Sequence, residues 1–105
     1  MRFEMLVGLN LSNESLYTAY REAMAPLLTA HEGGFGCDFK VSEVLKAPAD
    51  TGDATSINRV FTIYFASEQQ KDAFFNHEAY QAIKAEYFEK SVNSTTIIAS
   101  YFNTN

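Results

Sequence analysis

The sequence holds no tryptophan, one cysteine, two histidines and two prolines in 105 residues. With Cys37 alone, an intrachain disulfide is excluded. His31 and His77, with no cysteine pair beside them, make no zinc-type spacing, so no metal site is expected. Basic residues are also scarce: eight Lys and Arg stand against thirteen Asp and Glu, a net charge of −5. They are scattered along the chain rather than clustered. Neither nucleic acid nor an anionic membrane surface is therefore an expected partner. No apolar run approaches the roughly 20 residues of a membrane span. The run Met5–Leu9 is shorter than the roughly 7–15-residue apolar core of a signal peptide, so a cytoplasmic location is expected. Gly33-Gly34-Phe35-Gly36 fits no phosphate-binding loop, and two histidines leave little room for a nucleophilic triad.

What remains is a composition that folds. Hydrophobic residues make up 47% and charged residues 20%, too apolar for disorder. The length suits a single domain, residues 1–105, with one core spanning 3–102.

The periodicity changes along the chain in a defined order. Phe3–Leu11 alternates, with Phe3, Met5, Val7, Leu9 and Leu11 on one face, and predicts a strand. Ser12 and Asn13 offer N-caps for a helix over Glu14–Glu32, whose stripe is Leu16, Tyr20, Ala23, Leu27 and His31. Pro26 predicts a bend in it, and Gly33-Gly34 its left-handed end. Phe35–Leu45 returns to period two, placing Cys37, Phe39 and Val41 on the apolar side and Asp38, Lys40 and Ser42 on the other. Lys46–Ser56, about eleven residues with Pro, Gly and Asp, reads as a long loop where two to five residues would serve. Such a loop is either a surface insertion or a lid or arm over a pocket or subunit boundary. Ile57–Phe65 is the clearest strand. Ser67-Glu68-Gln69-Gln70 forms a capping box for a helix to about Phe75. Asn76-His77 interrupts it, a second helix carries Tyr80, Ile83, Tyr87 and Phe88, and Val92–Phe102 closes the chain as a strand.

The order βαββαβ is the split arrangement of the ferredoxin-like fold, an α+β sandwich with an antiparallel four-stranded sheet under two helices. The second sheet face, expected to carry Leu6, Gly8, Val60, Thr62 and Tyr64 beside Glu4, Asn10, Asp38 and Lys40, is too apolar for a face turned to water. Burial against a second copy is the expectation, giving a homodimer in the form of a dimeric α/β barrel.

The chain resembles the DUF1330 group of small proteins over roughly Phe3 to Phe102. The likeness rests on Tyr17 and Tyr20-Arg21, Pro26, and His31-Glu32-Gly33-Gly34. It continues through Glu43-Val44-Leu45, the strand Arg59-Val60-Phe61-Thr62-Ile63-Tyr64-Phe65, then Ser67, Ala73, Phe74 and Tyr80-Gln81. That resemblance implies membership of the dimeric α/β-barrel superfamily, beside antibiotic-biosynthesis-type monooxygenases and muconolactone isomerases. It also implies a substrate cleft between helices and sheet. His31 is then the candidate catalytic residue, a proton shuttle on the seam, or alternatively a cap on helix-end carbonyls. Tyr20, Tyr64 and Tyr80 are candidate ligand-binding phenols, or core residues with wet tips. Arg59, a cation on an otherwise apolar strand face, binds a ligand anion or pairs with a carboxylate. His77 reads as a cap, Cys37 as an inert buried thiol, and Asp38 and Lys40 as polar contacts of the dimer. No cofactor is implied. The expected function is a homodimeric small-molecule-binding protein, with enzymatic activity on a small aromatic or carbonyl compound left open. The alternative is a non-enzymatic scaffold whose dimer is its product.

Overall fold

The computed structural model describes residues 1–47 and 56–104. The sequence's long loop, Lys46–Ser56, falls mostly outside the described residues, and so does the lid or arm expected of it. The elements run β1 (Arg2–Leu11), α1 (Glu14–Ala30), β2 (Gly33–Lys40), β3 (Arg59–Phe65), α2 (Glu68–Asn76) and α3 (Glu78–Ile83). A π-helical turn (Lys84–Phe88), a short α4 (Glu89–Ser91) and β4 (Val92–Asn103) complete the chain. The four strands are ordered β2-β3-β1-β4, with every neighbouring pair antiparallel. This is the ferredoxin-like α+β fold, with the helices packed on one face of the sheet.

Alternation in β1 and β3 builds the core. Phe3, Val7 and Leu9 stand beside Phe65, Phe61 and Arg59 in register, so one face of the central pair is almost wholly apolar. Tyr17, Tyr20, Met24 and Leu28 of α1 and Phe74 and Tyr80 of α2 and α3 close over it. Asn13 caps α1, its side chain accepting from Leu16 N at 3.0 Å, and Ser67 caps α2 in the same way through Gln70 N at 3.1 Å. The Gln70 side chain does not complete a capping box; its amide reaches Glu32 Oε1 instead, at 3.3 Å. Helix α1 runs on through Pro26, which lies on its exposed side.

The turn after α1 departs from the expected glycine end. Glu32, not a glycine, takes the left-handed conformation, with φ 57°. Gly33 and Gly34 already belong to β2, and they are needed for a different reason. A Cβ on Gly33 would lie 2.6 Å from Leu28 Cδ1 and 2.8 Å from the Tyr64 carbonyl oxygen, where helix end and strand meet. A Cβ on Gly34 would meet the Tyr64 hydroxyl at 2.5 Å.

The largest correction to the sequence expectation is the sidedness of β2. Phe35 pairs with Ile63, but Asp38, not Cys37, pairs with Phe61. The register shift sets Gly36 and Cys37 together against Thr62, and one extra residue inverts every side chain that follows. Asp38 and Lys40 therefore turn to the helix side rather than to a dimer surface. Cys37 and Phe39 turn to the open face, so Cys37 is half-buried there and Phe39 is 58% exposed. Gly36 permits the bulge, since a Cβ at that position would overlap the Thr62 hydroxyl.

The open face is mixed, as the alternation implied. Leu6, Val60, Thr62 and Tyr64 lie on it with Cys37, Phe39 and Ala99. Ile57, only 7% exposed, folds across Gly8, whose ideal Cβ would sit 2.8 Å from Ile57 Cδ1. At its other end Glu4 accepts from the Tyr101 hydroxyl at 2.6 Å and pairs with Arg2 at 3.2 Å, while Arg2 lies over the Tyr64 ring at 4.0 Å. The Tyr101 hydroxyl is the main reason the Glu4 carboxyl sits below its ordinary value.

Replacing Gly33 by Ala is expected to cost about 1–3 kcal/mol, because the Tyr64 carbonyl it meets is backbone and cannot swing aside. Gly34→Ala meets only the far end of a flexible side chain and should cost clearly less. Chemical denaturation of the two variants checks the order; equal losses would contradict it.

Candidate functional site

Rigid rings prop the helix layer off the sheet. Phe74 sits with its ring centroid 5.5 Å from Phe65, 5.0 Å from Phe75 and 4.7 Å from Tyr80. Beside this cluster the layers do not close, and a cavity of about 290 Å³ remains between α1, α3, the π-helical turn and the sheet. Its walls are mostly apolar: Met5, Val7 and Leu9 from β1, Phe61 and Ile63 from β3, Met24 from α1 and Phe88 from the π-helical turn. The polar groups among its lining are few. Tyr17, Tyr20 and Tyr80 contribute phenols, and Gln81, Lys84 and Thr95 the remainder. Size and lining match a small-molecule site.

The hydroxyls of Tyr20 and Tyr80 meet at 2.9 Å, joining α1 to α3 across the cavity wall. Burial is the first cause that pushes both phenols above their ordinary value, Tyr20 by far the more. Burial also raises Tyr17, whose oxygen accepts from Arg21 Nε at 2.8 Å. These three groups therefore stay protonated. They can donate or accept a hydrogen bond, but they are not bases.

Next to the cavity, the Arg21 guanidinium carbon lies over Phe35, 3.8 Å from the ring centroid, and over Phe61 at 4.7 Å. Asp38, brought to this side by the β2 bulge, accepts from Arg59 through Nε at 2.7 Å and Nη2 at 2.8 Å, and from Arg21 Nη1 at 3.5 Å. The Arg59 hydrogen bonds hold the Asp38 carboxyl below its ordinary value of 3.8. A second, more polar groove of about 380 Å³ opens beyond Arg59, lined by Ser12, Glu14, Lys40 and Asn58 among others. Its ions are already paired, Lys40 with Glu14 at 2.7 Å and Arg59 with Asp38. Although larger, it offers no charge left to satisfy, and the cavity is the stronger candidate.

Among the residues nominated by sequence, Tyr20 and Tyr80 line the cavity. Arg59 lies in the neighbouring groove, paired to Asp38, and Tyr64 lies on the opposite sheet face beneath Arg2. His31 is not among the cavity's lining residues. Its Nδ1 donates to the Leu27 carbonyl at 2.8 Å, and its ring stands edge-on to Phe74 at 5.8 Å and to His77 at 5.6 Å. His77 caps α3, with Nδ1 accepting from Ala79 N at 3.0 Å. Sequence reading missed Arg21, Phe75, Gln81, Lys84 and Phe88. The helical spacings Tyr17–Arg21 and Tyr80–Lys84 were the available signals, since residues four apart share a helix face. No cluster of metal-ligating side chains occurs among the described residues, and no helix is long and apolar enough to cross a membrane.

No protein-family model and no curated protein matches the chain. Solved structures do match it. A protein of unknown function from Rhodopseudomonas palustris superposes with a TM-score of 0.76 at 15% identity, over 99% of this chain and 83% of its own. A dimeric ferredoxin-like protein of unknown function from Thermobifida fusca gives 0.59 at 13% identity, over 98% and 92%. A candidate antibiotic biosynthesis monooxygenase from Nitrosomonas europaea gives 0.55 at 11% identity, over 98% and 90%. At these identities the likeness establishes the ferredoxin-like fold and no more. The kinship with the DUF1330 group stays a likeness of sequence motifs.

Two measurements test the site's internal bonding. Tyr20→Phe or Tyr80→Phe alone should cost about 1–3 kcal/mol by stranding the other hydroxyl, and the double variant less than the sum. Strict additivity in a double-mutant cycle would remove the bond from the account. For Asp38, the depressed folded value means its stabilisation is complete above 3.8 and is lost as pH falls through the lower folded value. Asp38→Asn should therefore flatten the acid limb of the stability–pH curve; an unchanged limb contradicts the ion pair's role.

Proposed function

We propose that the protein is a homodimeric small-molecule-binding protein of the dimeric α/β-barrel type. Each subunit takes one compact, largely apolar ligand into the cavity between α1, α3 and the sheet. The observation that carries this reading is the cavity itself, open beside a seam of aromatic rings, with the hydroxyls of Tyr20 and Tyr80 among its few polar groups. A seam made only to hold a scaffold together would be filled, because voids in a core cost stability. Neutral phenols suit a carbonyl or hydroxyl oxygen on a small aromatic or carbonyl compound, which they would orient by hydrogen bonds. The motif likeness to the DUF1330 group agrees with this assignment.

The dimer is proposed through the open sheet face. Exposed Phe39 and half-buried Leu6, Val60 and Ala99 support burial there, and the Thermobifida fusca neighbour is described as dimeric. An interface of this kind should bury more than about 1,200 Å² in total. In this reading His31 is a structural residue at the end of α1, its ring donating to the Leu27 carbonyl and packing on Phe74, and it takes no part in the cavity.

A thermal-shift screen of small aromatic acids, phenols and quinones is expected to yield ligands, since a ligand at about 100 times its Kd stabilises by about 2.7 kcal/mol. Tyr20→Phe should weaken them, and a screen with no hit that depends on Tyr20 overturns the reading. Sedimentation at micromolar concentration should show a dimer, and a monomer there rejects the interface. His31→Ala should lower the melting temperature, by about 1–3 kcal/mol in stability, while ligand affinity stays intact. Lost affinity with an unchanged melting temperature would return the proton-shuttle role to His31.

A further inference from the structure

We infer that the cavity selects an anionic ligand, a compact aromatic or aliphatic carboxylate, and that Lys84 is the residue that reads its charge. The inference rests on the binding reading above and adds the chemical class of the ligand. Among the described residues, Lys84 is the one basic side chain in the cavity lining, and no Asp or Glu lines it. The three phenols stay neutral because burial raises them. Lys84 is partly buried and, among the described residues, makes no ion pair; the lysines that do are Lys40 and Lys71. Lys84 thus brings a basic side chain with no ion-pair partner among the described residues to the lining of a mostly apolar cavity.

Its position is set by the helix. Lys84 opens the π-helical turn, four residues after Tyr80 and on the same face of the chain. Insertions of this kind are frequent at functional sites. The four methylenes of Lys84 can lie along the apolar wall while the ammonium stays at the wetter edge, as amphipathic side chains do. A ligand seated with its apolar body against Met24, Phe61 and Ile63 would present a carboxylate to Lys84 and leave ring or carbonyl oxygens to Tyr20 and Tyr80. The protein as a whole carries −5. That charge disfavours anions at long range, but it is screened beyond about 8 Å at physiological salt, so the local cation decides.

The test compares 1-naphthoate and 4-isopropylbenzoate with their neutral primary amides by calorimetry at neutral pH. The acids are expected to bind about tenfold more tightly than the amides, the scale of one charge-assisted hydrogen bond. Lys84→Met should remove that preference, weakening the acids about tenfold more than the amides, and Lys84→Arg should restore it. Raising the salt concentration should weaken the acids and not the amides. Amides that bind as well as acids, or a preference that survives Lys84→Met, overturn the anion inference and leave the cavity reading standing. Binding of neither acids nor amides overturns both.

Discussion

The hydrogen bond between the hydroxyls of Tyr20 and Tyr80 sets the terms for the rest of the molecule. It is buried, it joins the first helix to the third across sixty residues of chain, and its two rings belong to the hydrophobic core. Each ring must stand at the height that lets the oxygens meet at 2.9 Å. The Tyr20 ring lies 5.5 Å from Tyr17 and 5.1 Å from Phe88, and Tyr80 rests on Phe74 at 4.7 Å. Flat, stiff side chains fixed at their tips cannot slump into the space below them as leucines would. The cavity follows from that restriction. Its size is what the sheet and the hydrogen-bonded rings leave between them, and apolar walls keep the bond strong by excluding water.

A second constraint works at the side of the cavity. One extra residue in β2 turns Asp38 inward, under two guanidinium groups. Arg59 holds it by two hydrogen bonds, and Arg21 reaches it from α1, so strand, neighbouring strand and helix are tied at one carboxylate. Arg21 also lies over the Phe35 and Phe61 rings. Arg21 thus gains a counter-ion and ring faces to lie on, although its Nη2 is buried with no hydrogen-bond partner. Without the bulge Asp38 would face the other way, and Arg59 would lose both of its hydrogen bonds to that carboxylate.

Much of the fold was legible because period two is a strong signal wherever one sheet face is greasy. Phe3, Val7 and Leu9, or Phe61, Ile63 and Phe65, leave no doubt about which side meets the helices. The same rule misplaced Cys37, Asp38, Phe39 and Lys40, because a bulge costs one residue of phase and Gly36 is a weak announcement of it. The helix end was misplaced for a similar reason: Gly33 and Gly34 are required by close approach to Leu28 and Tyr64, while Glu32 bears the left-handed turn. Among the candidate site residues, Tyr20 and Tyr80 were found because helical spacing put them on the core side. Their mutual bond was invisible, since it joins positions sixty apart. His31 follows the same stripe as Tyr20, yet a stripe gives only the side of a helix and not the height along it. At the last turn the Leu27 oxygen takes the ring N–H in addition to the backbone N–H of His31.

The chemistry of the lining also bears on what a bound ligand would experience. Three phenols raised by burial offer neutral hydrogen bonds and cannot withdraw a proton near neutral pH. Lys84 is the one basic side chain among the described lining residues, and it is a donor. A site so composed orients oxygen atoms and discriminates by charge. Among the described residues its lining holds no carboxylate and no imidazole. Under the proposed reading, selectivity comes from where two hydroxyls and one basic side chain stand on a mostly apolar wall.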